Sequence, residues 1–406
     1  MLSLSFFRAN GRLIAFGVFM CFCSSMGQTF FISLFGGEIR AAFGISHGTF
    51  GSLYAVGTLA SAATIIWFGR LVDRWPLGVY GALVLAGLAV MCFLMSQVWS
   101  LVALTLTIYG LRLFGQGLAV HTAITAMARY FEAERGRAVS IASLGNTLGE
   151  ALLPPLVVLA FVVMDWRFVW ALGGIGLVVL LPTIFILLKG QKERDSALKA
   201  QRQQSGAAAR DRNLKQALKD PVLWLLLPAL FAPSFIFTGL IFHQVYLAES
   251  KGWPLSLLAG SYSIMAAASV LSLILSGWLV DRVTARRLVP WFLLPLGLAC
   301  VALAFQDGFW VAPVFMALFG LNTGLAAVIT GAIWAELYGV SHLGAIRAFG
   351  QAVMVFSSGL APAILGLLID VGINLDDLAG LMFFYCVLVS LLAAFGVYRR
   401  SRTLVS

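Results

Sequence analysis

Long apolar segments alternate with shorter polar ones along almost the whole chain. Each apolar segment has about the length, roughly 20 residues, that a helix needs to cross a bilayer. Twelve such segments can be placed, at residues 12–38, 47–68, 78–97, 99–128, 138–163, 168–188, 221–248, 255–280, 288–305, 308–335, 345–369 and 379–398. They lack the strict two-residue alternation of a transmembrane β-strand. The pattern therefore predicts an all-α polytopic membrane protein with twelve transmembrane helices.

The composition excludes a soluble multidomain protein. Hydrophobic residues make up 61% of the 406 residues and charged residues only 11%, and the mean hydropathy is +0.95. An ordinary soluble domain is about half apolar and a quarter charged. So few charges could not cover this much apolar surface in water.

The formal net charge of +10 is explained by where the basic residues lie. With both termini in the cytoplasm, only Arg40, Arg167 and Lys251 of the 27 Lys and Arg residues fall on the outer side, and Arg112 falls within a span. This is the positive-inside distribution of membrane proteins. It predicts cytoplasmic termini, and it removes the reason to expect a nucleic-acid partner.

The cysteines do not indicate a metal site. All five lie inside predicted spans, at Cys21, Cys23, Cys92, Cys300 and Cys386. None has the paired spacing of a zinc site or a disulfide framework. We expect free thiols packed as small apolar side chains, with no bound metal.

The chain contains an internal repeat. The hexapeptides 69–74 (GRLVDR) and 277–282 (GWLVDR) end the second and eighth spans and lie 208 positions apart. The same shift aligns Tyr54 with Tyr262. Two six-helix bundles of the same topology are parallel repeats. The predicted parts are an N-terminal bundle, a polar cytoplasmic linker and a C-terminal bundle, at 1–188, 189–219 and 220–406.

The paired hexapeptides resemble the cytoplasmic loop motif of the major facilitator superfamily, which follows the second and eighth helices. The resemblance implies the fold of that family across the whole chain. It also implies that four charged residues form contacts holding the inward-closed arrangement: Asp73, Arg74, Asp281 and Arg282. Residues 75–78 (WPLG) depart from the family's basic continuation of the motif.

A second motif is typical of one branch of that superfamily. Residues 129–138 (RYFEAERGRA) and 145–149 (GNTLG) resemble a pattern of the monocarboxylate- and oxalate-transporter-like members and their bacterial relatives. The resemblance implies an organic-anion substrate and a bacterial inner (plasma) membrane location. Drug/proton antiporters usually carry a Gly-Pro pair here, whereas Gly149 precedes Glu150. That difference counts against multidrug efflux but leaves it open.

Two charged residues lie deep within predicted spans. Arg112 is 17 positions before Arg129, hence about 25 Å deep, and Glu150 is 13 positions after Arg137, hence about 20 Å deep. Each costs about 2.5–3.5 kcal/mol at a helix centre, so each needs a reason to be there. Because the two spans are neighbours, we predict a buried Arg112–Glu150 pair. It either holds two helices together or belongs to the transport site, with Glu150 accepting a proton and Arg112 binding an anion.

Other polar side chains deep in spans are candidates for a central cavity. Gln116 lies one turn from Arg112, and Asn146 lies one turn before Glu150. The remaining candidates are Gln28, His243, Gln244, Asn322 and Gln351. Isolated amides also bond between helices without touching a ligand. His121 faces away from Arg112 and is predicted to be a packing residue.

These features predict a secondary active transporter working by alternating access. The preferred substrate is a small monocarboxylate-like anion taken up with protons, without a further cofactor, by a protein we expect to be monomeric. Two alternatives stay open, namely proton-driven export of small apolar or amphipathic compounds, and a non-transporting sensor or assembly protein on this fold. The sequence contains no phosphate-binding loop of the kind an ATP-driven pump needs. It also contains no cluster of reactive side chains of the kind an enzyme needs.

Overall fold

The structure is a computed structural model that describes residues 4–131, 135–190, 214–338 and 343–403. All regular elements in these ranges are helices. The first nine α-helices are α1 (Leu4–Cys23), α2 (Thr29–Ile32), α3 (Gly36–Phe43), α4 (His47–Phe68), α5 (Leu77–Ser96), α6 (Leu101–Leu111), α7 (Val120–Tyr130), α8 (Arg135–Ala160) and α9 (Trp166–Leu187). The others are α10 (Leu214–Leu218), α11 (Pro221–Phe242), α12 (Gln244–Ser250), α13 (Leu255–Val283), α14 (Ala285–Leu288), α15 (Leu294–Phe305), α16 (Val311–Tyr338), α17 (Leu343–Asp370) and α18 (Leu375–Thr403).

The prediction of an all-helical membrane protein is confirmed. Nine helices of the described ranges are long and apolar enough to cross a membrane, and a bent pair at Asn10–Gly27 and Thr29–Phe43 makes ten if it is one span. The remaining two predicted segments, 47–68 and 288–305, contain α4 and α15. The helices are therefore consistent with twelve spans.

Large apolar side chains on these helices point outward. Leu159, Val179 and Phe384 are 67%, 70% and 68% exposed. A soluble protein rarely exposes apolar surface on this scale. Lipid hydrocarbon around the helices removes the free-energy cost of exposing these apolar side chains to water.

The described chain divides into two compact units. One comprises residues 1–44 and 53–207, and the other comprises residues 45–52 and 208–406. The start of α4 belongs to the second unit, where the Asp370 carboxylate accepts the backbone N–H of His47 at 3.1 Å and of Gly48 at 2.8 Å. The sequence-based domain boundaries remain predictions. Linker residues 191–213 lie outside the described ranges.

The same packing scheme occurs within each unit. In the first unit α1 packs against α8, and α5 packs against α9. In the second, α11 packs against α17, and α15 packs against α18, which are the counterparts at a shift of 208. Gly44 and Gly252, also 208 positions apart, both adopt left-handed conformations, with φ of 61° and 64°. The turns that follow the first helix of each repeat therefore match in backbone geometry as well as in position.

A basic residue holds an equivalent loop in each unit. In the first, Arg167 donates to the carbonyl oxygen of Val98 at 2.9 Å and stacks over the Trp166 ring. In the second, Lys251 donates to the carbonyl oxygen of Gln306, 208 positions after Val98, at 3.2 Å. These two bases, unusual on the outer side of the predicted topology, therefore fasten loops within their own units.

Lys251 also forms two ion pairs. Its ammonium group, 1% exposed, lies 2.6 Å from Asp307 and 2.7 Å from Asp376, whose side chains are 77% and 44% exposed. The Trp253 indole donates to the backbone oxygen of Asp307 at 2.9 Å. The segments that precede α13 and α16 and the first turn of α18 are therefore joined at one buried cation.

This asymmetry in burial predicts which partner is costlier to lose. Lys251→Met leaves two carboxylates that water can reach, so we expect a loss of about 1–3 kcal/mol in unfolding free energy. Replacing Asp307 and Asp376 together by Asn leaves an uncompensated buried ammonium, so we expect about 3–5 kcal/mol. Unfolding in detergent would measure both, with the exposed Asp377→Asn as the control. A larger loss for Lys251→Met than for the double variant would contradict this account.

Candidate functional site

The first membrane-crossing helix is broken near its middle. A 3-10 turn at Ser24–Gly27 follows α1, and Gln28 is extended, with φ of −82° and ψ of 153°. The two arms of the helix meet at a bend of 40°. Extended backbone interrupts the helical hydrogen-bond ladder, so polar backbone atoms here need other partners.

The fourth span carries a π-helical segment opposite this break. Residues Arg112–Ala119 form the π segment between α6 and α7. It packs against the 3-10 turn. A Cβ added to Gly115 would lie 2.6 Å from the Gly27 Cα, so the two backbones are in direct contact. π segments inside α-helices are rare and frequently occur at functional sites.

This contact predicts that Gly115 tolerates no side chain. We expect Gly115→Ala to lower the unfolding free energy by about 1–3 kcal/mol and to impair transport, because backbone atoms must move to admit the methyl group. Thermal unfolding and uptake would be measured together. Gly176→Ala in α9 is the control, since its added Cβ meets nothing within 4 Å. Equal behaviour of the two variants would show that the contact has no consequence.

Arg112 begins the π segment and is buried beside the break. It is 1% exposed. Its Nη1 donates to the Gly27 carbonyl oxygen at 3.1 Å and to the Thr29 hydroxyl at 3.3 Å. The guanidinium carbon lies 5.1 Å from the centre of the Tyr54 ring, and the Tyr54 and Thr29 hydroxyls are 2.7 Å apart. The break thus supplies the carbonyl that holds the arginine.

One edge of the guanidinium has no acceptor among the described residues. Nε is buried and has no hydrogen-bond partner in that part of the chain. Both hydrogen bonds that Arg112 makes to described residues come from Nη1, so the edge formed by Nε and Nη2 remains. That edge presents two parallel N–H groups, the arrangement that binds a carboxylate or phosphate with two hydrogen bonds.

The prediction of an Arg112–Glu150 ion pair is wrong for this structure. Within the described residues, no Glu150 oxygen lies within ion-pair distance of Arg112, whose contacts are Gly27, Thr29 and Tyr54. The predicted pair rests on the depths of two residues in straight helices and takes no account of the first span. The carbonyl exposed by its break reaches the arginine instead.

Glu150 lies on α8 with no counter-charge among the described residues. Its side chain is half-buried and forms no hydrogen bond or ion pair with another described residue. The residue before it, Gly149, faces the first span, and a Cβ there would collide with the Ser25 hydroxyl. Glu150 is therefore the next residue along the chain after the point where α8 contacts the broken helix.

Asn146 and Gln28 both hydrogen-bond to Ser24 at the break, whereas Gln116 does not take part in this network. The Ser24 hydroxyl lies 3.0 Å from the Asn146 amide oxygen and accepts the Gln28 amide at 3.4 Å. Gln116 is half-buried on the π segment and makes no hydrogen bond to a described residue. Three predicted residues, Arg112, Asn146 and Gln28, are therefore gathered around residues 24–29.

The second-unit candidates are mostly bonded within the protein. His243 Nε2 lies 3.1 Å from the Pro362 carbonyl oxygen, and the Tyr262 hydroxyl donates to the Gln244 amide oxygen at 2.7 Å. The Asn322 amide donates to the Phe292 carbonyl oxygen at 2.8 Å. Gln351 is exposed on α17. These bonds join helices within the unit.

Sequence reasoning missed Thr29 and Tyr54. Threonine is too common in membrane helices to stand out, and no pattern located the helix break. The repeat did align Tyr54 with Tyr262. In the structure both are fully buried, and each hydrogen-bonds to a side chain beside an interruption in the first helix of its own unit.

The predicted gate residues are described only in part. The side chains of Asp73 and Asp281 lie outside the described set. Arg74 is exposed, and the guanidinium carbon of Arg282 lies 4.1 Å from the Trp278 ring centre. The segment after α4 is held by His121, whose Nε2 lies 3.1 Å from the Gly69 carbonyl oxygen, as expected for a packing histidine.

Comparison with known proteins gives the family. The sequence family described as Major Facilitator Superfamily matches residues 17–305, more than half of the chain. The chain belongs to the major facilitator superfamily. No curated protein sequence matches it significantly. Metal-binding clusters of three or more His, Cys, Asp or Glu are not found in the described ranges.

Solved transporters share the fold of this superfamily member. A bacterial homolog of the human lysosomal transporter Spinster, inward-facing and unoccupied, is 15% identical with a TM-score of 0.71, over 96% of this chain and 97% of that one. The nucleoside transporter NupG is 12% identical with a TM-score of 0.73, over 95% and 98% of the two chains. Identities this low support the common fold alone.

Proposed function

We propose that this member of the superfamily is a secondary active transporter that takes up a small organic anion together with protons, by alternating access. The substrate carboxylate binds at Arg112, beside the break in the first span. Glu150 carries the coupled proton. A monocarboxylate fits best, because one guanidinium edge binds one carboxylate.

The observation that carries this proposal is the uncompensated charge of Arg112. A buried arginine is costly unless paired, and this one has a hydroxyl, a carbonyl and an aromatic ring around it but no carboxylate within ion-pair range among the described residues. An organic anion would supply the missing charge. Absence of the Glu150 pair favours this role, because a paired arginine would first have to lose its partner.

Glu150 is the candidate for the proton. It lies within a membrane-crossing helix and has no basic partner among the described residues. A carboxylate in such surroundings is costly when charged, so its neutral form is favoured where water is excluded. Protonation would let α8 move against the broken first helix without exposing a charge to hydrocarbon.

The resemblance at residues 129–138 and 145–149 also supports an anion. It points to the monocarboxylate- and oxalate-transporter-like branch. Arg112 lies on the span that leads into residues 129–138, and Glu150 is the residue immediately after 145–149. The candidate site and the motif therefore occupy the same two helices.

Uptake into proteoliposomes tests the proposal. The purified full chain would be given labelled mono- and dicarboxylates with and without an inward proton gradient, and protein-free vesicles serve as the control. We expect the gradient to drive accumulation of at least one monocarboxylate. If no acid accumulates while a preloaded apolar compound leaves faster under the gradient, the proposal is wrong and proton-driven export replaces it.

A further inference from the structure

An elongated cavity of about 340 Å³ lies between α11, α17 and α18 in the second unit. Its inner wall consists of buried side chains, among them Ile236, Leu365 and Met382. Its rim consists of exposed ones, among them Leu381 and Tyr385, at 59% and 37% exposure. We call this cavity the lateral slot. It is set into a surface that membrane-crossing helices expose.

The lateral slot runs along the helices. On α17 it extends from Ser357 to Leu368, about 16 Å at 1.5 Å per residue. On α18 it extends from Leu378 to Tyr385, about 10 Å by the same rise. The hydrocarbon core of a bilayer is about 30 Å thick, so the slot is about as long as one leaflet is deep.

The lining selects an apolar occupant. None of its ten residues is charged. Of its two hydroxyl groups, that of Tyr385 donates to the Pro228 carbonyl oxygen at 3.2 Å. A lining of this kind offers water few hydrogen-bond partners and therefore favours an apolar occupant. In a membrane, the apolar material that reaches the rim is the lipid chain.

We infer that the lateral slot binds one acyl chain of a bilayer phospholipid, lying along α17 and α18 with its methylenes against Leu365 and Met382. Length, direction and lining all match a chain that descends through one leaflet. The slot lies wholly within the second unit, so its occupancy does not depend on the role proposed for Arg112.

Photocrosslinking in vesicles tests this inference. The full chain would be reconstituted in phosphatidylcholine that carries a diazirine midway along one acyl chain, then irradiated and mapped by mass spectrometry. We expect insertion at buried Met382 to approach that at exposed Leu381. Val389, which is 1% exposed on the same helix but outside the slot, should remain unlabelled. Labelling of exposed residues alone would overturn the inference.

Two filling variants add a second criterion. Ser357→Phe and Ile364→Trp place a ring in the slot, so we expect Met382 to lose its label while Leu381 keeps it. Leu388→Trp, at an exposed position of α18 outside the slot, is the matched control and should label as the native protein does. Unchanged Met382 labelling in both filled variants, or displacement of the label by a transported carboxylate, would also overturn the inference. The native comparison of Met382 with Val389 needs no variant to fold.

Discussion

Replacing Arg112 by glutamine is expected to abolish uptake of the organic anion at ordinary substrate concentrations. Loss of one partner of a buried charge pair costs about 2–5 kcal/mol, which is roughly 30- to 4,000-fold in affinity. Glutamine retains a donor for the Gly27 carbonyl oxygen but removes the positive charge and the paired N–H edge. Uptake measured against substrate concentration would give the size of the loss.

The lysine variant separates charge from geometry. Arg112→Lys keeps the charge but presents one point donor, so we expect weakened and partial uptake, between native and Arg112→Gln. Arg287→Gln, at an exposed arginine of the second unit, controls for loss of positive charge alone. Detergent unfolding curves would establish that each variant is folded. Native affinity in folded Arg112→Gln would remove the arginine from the substrate site.

Replacing Glu150 by glutamine is expected to separate substrate movement from the proton gradient. Glutamine resembles the protonated acid and cannot release a proton, so exchange of labelled for unlabelled substrate should persist. Gradient-driven accumulation should disappear. One pH unit is worth about 1.4 kcal/mol per proton, so accumulation at that gradient should fall from about tenfold to about equal concentrations.

A matched carboxylate controls for this effect. Glu38→Gln, at an exposed position of α3 in the same unit, removes an acid outside the site and should leave accumulation unchanged. Accumulation by Glu150→Gln at the native level would mean that the proton is carried elsewhere. Loss of exchange as well as accumulation would make Glu150 a structural residue.

The fold could be predicted from the sequence because its signals are long and redundant. A membrane-crossing helix needs about 20 apolar residues, and each predicted segment satisfies this requirement separately. The repeat was visible because 69–74 and 277–282 share five of six residues. The structure extends that repeat to Gly44 and Gly252, whose backbone conformations match although no motif surrounds them.

The site was predicted only at the level of single residues. Arg112 stood out because a charge in an apolar helix is rare, and the structure does bury it. Its partners could not be derived, because they depend on two departures from ideal helix geometry. The break at Gln28 and the π segment at Arg112–Ala119 lie against each other at the Gly27–Gly115 contact, and neither has a sequence signal of its own. A prediction that assumes straight α-helices therefore paired Arg112 with Glu150, the wrong neighbour.

Ligand-induced stabilisation tests the central claim, that Arg112 binds the substrate anion, most directly. Thermal unfolding of the purified protein would be followed with a panel of mono- and dicarboxylates, for the native chain and for Arg112→Gln. A ligand at 100 times its Kd stabilises the folded state by about 2.7 kcal/mol, which is readily detected. We expect the transported acid to stabilise the native protein and to leave the stability of Arg112→Gln unchanged. Equal stabilisation of the two proteins by that acid would contradict it.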